Sequence, residues 1–248
     1  RWLLAEFQAD VVPHAASYYA LAPVVAPAAD GPAIVIGHAG ETVRVRTGAA
    51  TIDVPRSGPG FISATDVDGL SLLRSTAITA EDERGHRFGF AVRRLVIERA
   101  GPLRAVIRLD GDLLSLAGQP WLGAVVRLHF HAGLGTVIAE LEVTNPRAAR
   151  HPGGAWDLGD PGSVLIRDLS IEVVTDANHL ADVWGSIDHT DQMEPAGRRF
   201  AVYQDSSGGS NWQHATHANR HGRVPATFRG FRAMRDDRLV EGLRATPI

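Results

Sequence analysis

The sequence of 248 residues contains no cysteine and no lysine. The missing cysteines exclude disulfides, thiolate metal sites and a cysteine nucleophile together. All 25 basic residues are arginine, so Schiff-base chemistry at a lysine is excluded as well. Neither absence identifies a function. A GC-rich genome explains the missing lysine equally well, and the redox compartment stays open.

The chain also lacks a strong charge of either sign and a long apolar run. Its net charge of −3 and pI near 6.4 give no electrostatic footprint for nucleic acid. No stretch of about 18 apolar residues suggests a membrane span. We therefore expect neither nucleic acid nor a membrane as a partner.

The first residues indicate a piece of a longer protein. The chain begins with Arg1 and not with Met, and RWLLAEFQAD opens in the middle of a strand-like run. We expect a fragment or a processed chain, whose targeting segment, if there is one, lies outside the sequence. The compartment is left open, with secretion as one alternative.

Alternation with a period of two dominates the middle of the chain and predicts β-strands. In VVRLHFHAG, Val126, Leu128 and Phe130 point one way while His129 and His131 point the other. RAVIRLDG, TVIAELEVTN and SVLIRDLSIEVV show the same pattern. Short strands separated by turn signals, each with one polar face, predict an all-β fold, an antiparallel β-sandwich.

A shift in composition divides the predicted fold. Residues 1–40 are rich in Ala, Pro and Val, whereas alternating strands run almost without a break from residue 41 to about residue 178. We predict a small first part over 1–40 and a β-sandwich domain over 41–248.

His129 and His131 are the weak metal candidates. In a strand, an H-x-H pair leaves the same face of the sheet. A metal site needs a third and a fourth ligand, and no accompanying motif supplies them. The alternative is a pair of half-exposed histidines on a solvent face, so no metal or other cofactor is predicted.

The loop HPGGAWDLGDPGS, residues 151–163, is the first candidate for substrate binding. Its glycines allow sharp turns and its prolines stiffen both ends. Trp156 then becomes a fixed aromatic side chain with Asp157 and Asp160 nearby. A sugar could stack on the ring and bind the carboxylates. The alternative is that Trp156 closes one end of the sandwich and the aspartates form turns.

The second candidate stretch is YQDSSGGSNWQHATHANRHGR. A strand ends in a glycine-rich turn, and aromatic, amide, carboxylate and cationic side chains follow. These types suit a sugar ring, its hydroxyl groups and its carboxylates. The alternative is a polar surface loop. The candidate residues are Gln204, Asp205, Trp212, His214, His217 and Arg220.

Taken together, these segments resemble the exo-rhamnogalacturonan lyase family. The resemblance is carried by RWLLAEFQAD, RAVIRLDG, VVRLHFHAGLGTVIAELEVTNP and the two glycine-rich loops, in that order. It implies a RIFT-type β-barrel, a central galactose-mutarotase-like β-sandwich and an α/α toroid. Residues 1–40 would be the end of the barrel and 41–248 the sandwich. The rest of the barrel and the toroid would be missing partners from the same polypeptide.

The resemblance also implies a function. The parent protein would be a polysaccharide lyase that cleaves a pectin or rhamnogalacturonan-type polysaccharide by β-elimination. That reaction needs a neutralised uronate carboxylate, a base and an acid. The catalytic residues stay unknown, and this chain alone is expected to be inactive. The alternative is a non-catalytic sandwich that binds carbohydrate or acts as a scaffold.

Overall fold

The computed structural model describes most of the first two thirds of the chain and parts of the last third. The described residues are 6–9, 16–20, 31–148, 150, 162–175, 184–185, 194–195, 200–206, 210–215, 218, 222–224, 226–235 and 238–242. Regular structure in these ranges is β-strand throughout, which confirms the all-β prediction. Within the same ranges, no helix has the length and apolarity needed to cross a membrane.

Strands of the first 146 residues fall into a short and a long group. The short strands are β1 (Val35–Ala39), β2 (Thr42–Arg46), β3 (Thr51–Pro55), β4 (Gly58–Pro59) and β5 (Ala64–Val67). The long strands are β6 (Leu70–Asp82), β7 (Arg87–Ala100), β8 (Arg104–Ser115), β9 (Pro120–His131) and β10 (Val137–Thr144).

Later strands are β11 (Ile166–Thr175), β12 (Trp184–Gly185), β13 (Glu194–Pro195), β14 (Phe200–Gln204), β15 (Phe231–Arg235) and β16 (Arg238–Gly242). Strand β11 pairs antiparallel with β6. Strands β12 and β13 form a small ladder, and β14, β15 and β16 form a three-stranded antiparallel sheet.

The main sheet runs in the order β1-β2-β3-β5-β6-β7-β8-β9-β10, with every pair antiparallel. The beginning of the sheet, near β2, lies next to its end, near β9. The Gly133 amide donates to the Thr47 carbonyl at 2.6 Å, and the Thr47 hydroxyl donates to the Leu134 carbonyl at 2.6 Å. These bonds join the turn after β2 to the turn after β9, so the first and last parts of the sheet lie next to each other.

Apolar and polar residues alternate on β8 and β9, and the apolar ones form the core. Ile107, Leu109, Leu128 and Phe130 are fully buried. Burying side chains of this size stabilises a fold by about 1.5–3 kcal/mol each. The two strands keep one register from Arg104 to Leu113, with Leu109 opposite Val126, and shift only between Leu113 and Leu114. The inward positions predicted from the sequence are therefore confirmed on this strand pair.

Two compact units make up the chain. Unit 1 contains Arg1–Pro146 and Leu165–Asp176, and unit 2 contains Arg147–Val164 and Ala177–Ile248. The predicted division at residue 40 falls in the turn of the β1–β2 hairpin, whose strands pair along their whole length. The assignment of residues 1–40 to a barrel stays a prediction.

Candidate functional site

One face of the unit 1 sheet is polar across six neighbouring strands. Residues directly opposite one another in a ladder share a face. Thr79 of β6 lies opposite both Gly89 of β7 and Ser170 of β11, and Gly89 lies opposite Leu114 of β8. The same face continues along β8 to Asp110, which lies opposite Val125 of β9. We call this surface the polar face.

The larger depression in the polar face lies over β11, β6, β7 and β8 and has a volume of about 750 Å3. Its floor includes the small residues Thr79, Gly89, Ala91 and Ser170. A Cβ atom added at Gly89 would meet no atom within 4 Å, so the glycine leaves open space. A glycine inside a strand is a typical site for close approach of a ligand. Phe88, the neighbour of Gly89 on β7, also lines the depression.

Carboxylates outnumber cations around this depression, which we call the acidic groove. Glu81 pairs with Arg87 at 3.5 Å and with Arg167 at 3.1 Å. The other two carboxylates accept hydrogen bonds from hydroxyl groups, Asp168 from Ser170 at 2.5 Å and Glu172 from Thr79 at 3.4 Å. The groove thus offers many hydrogen-bonding groups above a floor of small side chains.

The smaller depression has a volume of about 360 Å3 and lies over β7, β8 and β9, with Thr144 of β10 at its edge. Arg93, Arg94 and Arg108 line it, and we call it the arginine cleft. A β-bulge between Val92 and Arg94 brings both consecutive arginines of β7 to the polar face, since a bulge places two residues opposite one. Sequence alternation alone would have placed Arg93 and Arg94 on opposite faces.

Two of the three arginines that line this cleft form ion pairs with aspartates. Arg108 donates to Asp110 at 2.6 Å, and Arg93 lies 2.7 Å from Asp112. The hydrogen bond to Asp110, together with its charge, raises the pKa of Arg108 above its ordinary value. Arg108 is therefore permanently charged and held in place.

A buried histidine lies further along the polar face. His129 is 8% exposed. Its Nδ1 lies 2.8 Å from the Arg104 guanidinium and its Nε2 lies 3.3 Å from Glu140. Because a guanidinium can only donate, Nδ1 is the acceptor of the Arg104 contact, whereas Nε2 makes no hydrogen bond in the part of the chain that the structure describes. Glu6 completes the cluster by pairing with Arg104 at 3.4 Å.

The contacts of His129 affect whether His129 and His131, the weak metal candidates, can form a metal site. His129 accepts from Arg104 through Nδ1, its Nε2 lies 3.3 Å from Glu140, and His131 lies opposite Arg104 in the β8–β9 ladder. Among the residues that the structure describes, no three His, Asp or Glu side chains come close enough to hold a metal ion. The His129–His131 pair thus gains no third ligand in the described part of the chain.

Some of the predicted sugar-binding residues lie in the described parts of unit 2. Asp205 follows β14, and its Oδ2 accepts hydrogen bonds from the Thr227 amide, from the Thr227 hydroxyl at 2.6 Å and from the Phe228 amide at 3.1 Å. Burial acts to raise the pKa of Asp205, but these bonds outweigh it and lower the pKa below its usual value. This carboxylate oxygen holds a loop in place.

Of the other predicted residues of unit 2, the structure describes Trp212, His214 and Gln204. Trp212 and His214 lie in the turn around Asn211, whose carbonyl accepts from the His214 amide at 2.9 Å. Gln204 ends β14 and pairs with Phe231 through its backbone. The remaining candidates lie outside the described residues: Trp156, Asp157, Asp160, His217 and Arg220. A shared site of the two glycine-rich loops stays a prediction.

Sequence reasoning overlooked the polar face. The outward residues of β7 to β10 read as an ordinary solvent face, and the loops drew attention because they contain tryptophan. A signal was present in Gly89 and Gly123, which sit at outward positions inside otherwise regular strands. Outward glycines of this kind weaken a strand unless close approach of another group requires them.

Fold and site together define an antiparallel β-sandwich with a grooved polar face. Comparison with known proteins agrees. Residues 34–140 match the model of the PcRGLX-like protein central beta sandwich domain. The uncharacterized protein YetA of Bacillus subtilis (strain 168) is 27% identical over 107 residues, which are 38% of this chain and 12% of that protein.

Residues 34–140 are thus similar to the PcRGLX-like central beta sandwich domain, which supports the family resemblance indicated by the sequence. The matched segment begins just before β1 and ends within β10. It therefore contains the arginine cleft except Thr144, and the part of the acidic groove formed by β6, β7 and β8. The alignment covers only an eighth or so of the curated relative, 12% of its length.

Proposed function

We propose that this chain is the sugar-binding sandwich of a polysaccharide lyase that acts on pectin or rhamnogalacturonan-type polysaccharide. One observation carries the proposal: the acidic groove, at about 750 Å3, has the size of a ligand site. Its small-residue floor leaves room for a sugar ring, and its carboxylates and guanidinium groups can bind hydroxyl groups.

The lining of the groove supports a carbohydrate over an apolar ligand. Sugars present hydroxyl groups at their edges and C–H bonds on their faces, so their sites combine hydrogen-bonding side chains with an aromatic ring. Glu81, Asp168 and Glu172 supply acceptors, and Arg87 and Arg167 supply donors. Phe88 also lines the groove, and its ring is stacked on Trp121 with ring centroids 4.2 Å apart.

The catalytic part of the proposal rests on the family resemblance. Elimination needs groups that converge on the uronate from several sides. In this proposal the sandwich binds the polymer, and the rest of the parent protein supplies the base and the acid. The chain by itself is then expected to bind oligosaccharides without forming the unsaturated uronate product.

Isothermal titration of the chain with oligosaccharides from a rhamnogalacturonan backbone tests the proposal. Gly89→Gln should abolish binding, because the new side chain fills the groove without a clash at its Cβ. Gly37→Gln is the matched control. Gly37 lies on β1, and a Cβ there also meets no atom within 4 Å. Equal affinity of both variants, or no binding by the unchanged chain, would contradict the proposal.

A further inference from the structure

The arginine cleft has one cation that the surrounding carboxylates do not neutralise. Every other arginine of β7, β8 and β9 has a carboxylate within 4.0 Å among the described residues. These pairs are Arg87 with Glu81, Arg93 with Asp112, Arg99 and Arg104 with Glu6, Arg108 with Asp110, and Arg127 with Glu98. Arg94 has no such partner in the described part of the chain.

The register explains why Arg94 is left over. Asp110 lies directly opposite Arg94 in the β7–β8 ladder. The Asp110 carboxylate is nevertheless bound to Arg108 on its own strand, at 2.6 Å. The next carboxylate on that face, Asp112, is bound to Arg93, the extra residue of the bulge, at 2.7 Å. Both nearby acids are thus occupied, and Arg94 faces the cleft with its charge uncompensated.

The arginine cleft, which Arg94 lines, also contains open space. Gly123 of β9 lies opposite Asp112, two residues along the strand from Val125, which faces Asp110, and it also lines the cleft. A Cβ added there would have Thr144 atoms as its nearest contacts, at 3.8 and 3.9 Å, which is ordinary van der Waals contact. Gly123 therefore leaves space open in the cleft that Arg94 also lines, although the fold would tolerate a side chain there.

We propose that the arginine cleft binds the carboxylate of an acidic sugar and that Arg94 is the residue that recognises it. A guanidinium presents parallel N–H groups that match a carboxylate, and such charge-assisted hydrogen bonds are strong and geometrically specific. Arg93 and Arg108, fixed by their own ion pairs, add positive potential around the site. This inference rests on the proposed function, because the acidic sugar would belong to the same polysaccharide that occupies the groove.

The test compares two probes on the 248-residue chain: oligogalacturonate, and the same oligosaccharide with its carboxylates reduced to hydroxymethyl groups. Arg94→Gln should weaken oligogalacturonate binding by about tenfold or more, the usual effect of losing a charged hydrogen bond. Binding of the reduced probe should not change. Arg46→Gln is the matched control, since Arg46 is an exposed arginine on β2 with the same change of charge.

A second variant addresses the space and not the charge. Gly123→Gln should also weaken oligogalacturonate binding while the midpoint of thermal unfolding stays close to that of the unchanged chain. A third probe, inorganic phosphate, separates a sugar site from a simple anion site. Phosphate should compete only weakly with oligogalacturonate.

The outcomes separate the two proposals. If Arg94→Gln binds both oligosaccharides as the unchanged chain does, or weakens both equally, the cleft inference is wrong while groove binding stands. Phosphate binding through Arg94 as tight as that of oligogalacturonate would also overturn it. If the unchanged chain binds neither oligosaccharide, the proposed function and the cleft inference fail together.

Discussion

Strands β8 and β9 present two faces that are held together in different ways. The inner face contains Ile107, Leu109, Leu128 and Phe130, all removed from water. Apolar burial of this kind is the main favourable term in folding. The outer face is tied by ion pairs between partly exposed side chains, which contribute about 0–1 kcal/mol each. The outer face can therefore change its residues to suit a ligand at little cost to the fold.

The largest expected effect contrasts neighbouring residues of β8 that point to the two faces. Leu109→Ala should lower the free energy of unfolding by about 2–5 kcal/mol, because it removes buried methyl groups and leaves a cavity. Arg108→Ala should lower it by far less, as expected for a partly exposed ion pair. Denaturant unfolding followed by tryptophan fluorescence measures both changes. Similar losses for the two variants would break the comparison.

Alternation explains why the inner face could be predicted from the sequence. Period-two patterns identified the strands β8, β9 and β10 and the inward positions Val126, Leu128 and Phe130, because burial on one face forces that pattern. The bulge at Val92 and Arg94 left no such mark. Its position depends on the pairing with β8, a long-range property that one strand's sequence does not encode.

The candidate site was harder to predict for a related reason. The polar face is formed by strands distant in sequence, since β11 joins β6 across more than eighty residues. The residues of the acidic groove are individually ordinary outward side chains, and only their register brings them together. By contrast, Asp205 looked functional in the sequence, and the structure shows its Oδ2 bound to Thr227 and Phe228.

Two glycines on paired strands sharpen the contrast between the faces. Gly111 of β8 points inward, and a Cβ there would lie 2.2 Å from the Ala91 carbonyl oxygen and 2.6 Å from the Phe90 ring. Gly111→Ala should therefore destabilise the chain by about 1–3 kcal/mol or more, as overpacking does. Gly123→Ala, on the polar face, should change stability by well under that amount. A stable Gly111→Ala protein with an unchanged thermal midpoint would show that the inner face is loosely packed.

Removing the charge of Glu98, a carboxylate that links three strands of the polar face, should have a smaller effect on stability. Glu98 lies 3.2 Å from Arg127 and 3.7 Å from Arg108. Glu98→Gln should cost about 1 kcal/mol or less, and the loss should shrink in high salt because salt screens exposed charges. Leu109→Ala should show no comparable salt dependence. A Glu98→Gln loss that is independent of salt would mean that packing, and not charge, holds the outer face.

The smallest expected effect is a pH-dependent one, at the turn between β6 and β7. The Asp82 carboxylate accepts from the Arg84 amide at 2.8 Å, the His86 amide at 2.9 Å and the His86 ring at 2.9 Å. Burial acts to raise the pKa of Asp82, but these three bonds outweigh it and lower the pKa below the ordinary value of 3.8. Because the folded pKa is the lower one, the stabilising contribution of the ionised carboxylate is complete above the ordinary value. It is lost as the pH falls through the folded pKa.

Asp82→Asn should therefore lower the midpoint of thermal unfolding slightly at pH 7, and the difference from the unchanged chain should shrink below the ordinary aspartate pKa and disappear below the lower folded pKa of Asp82. Glu83→Gln is the matched control. Glu83 occupies the same turn, and no hydrogen bond or ion pair involves its side chain among the residues that the structure describes. It should leave the midpoint unchanged throughout. A deficit for Asp82→Asn that persists in acid would show that the turn depends on the shape of the aspartate and not on its charge.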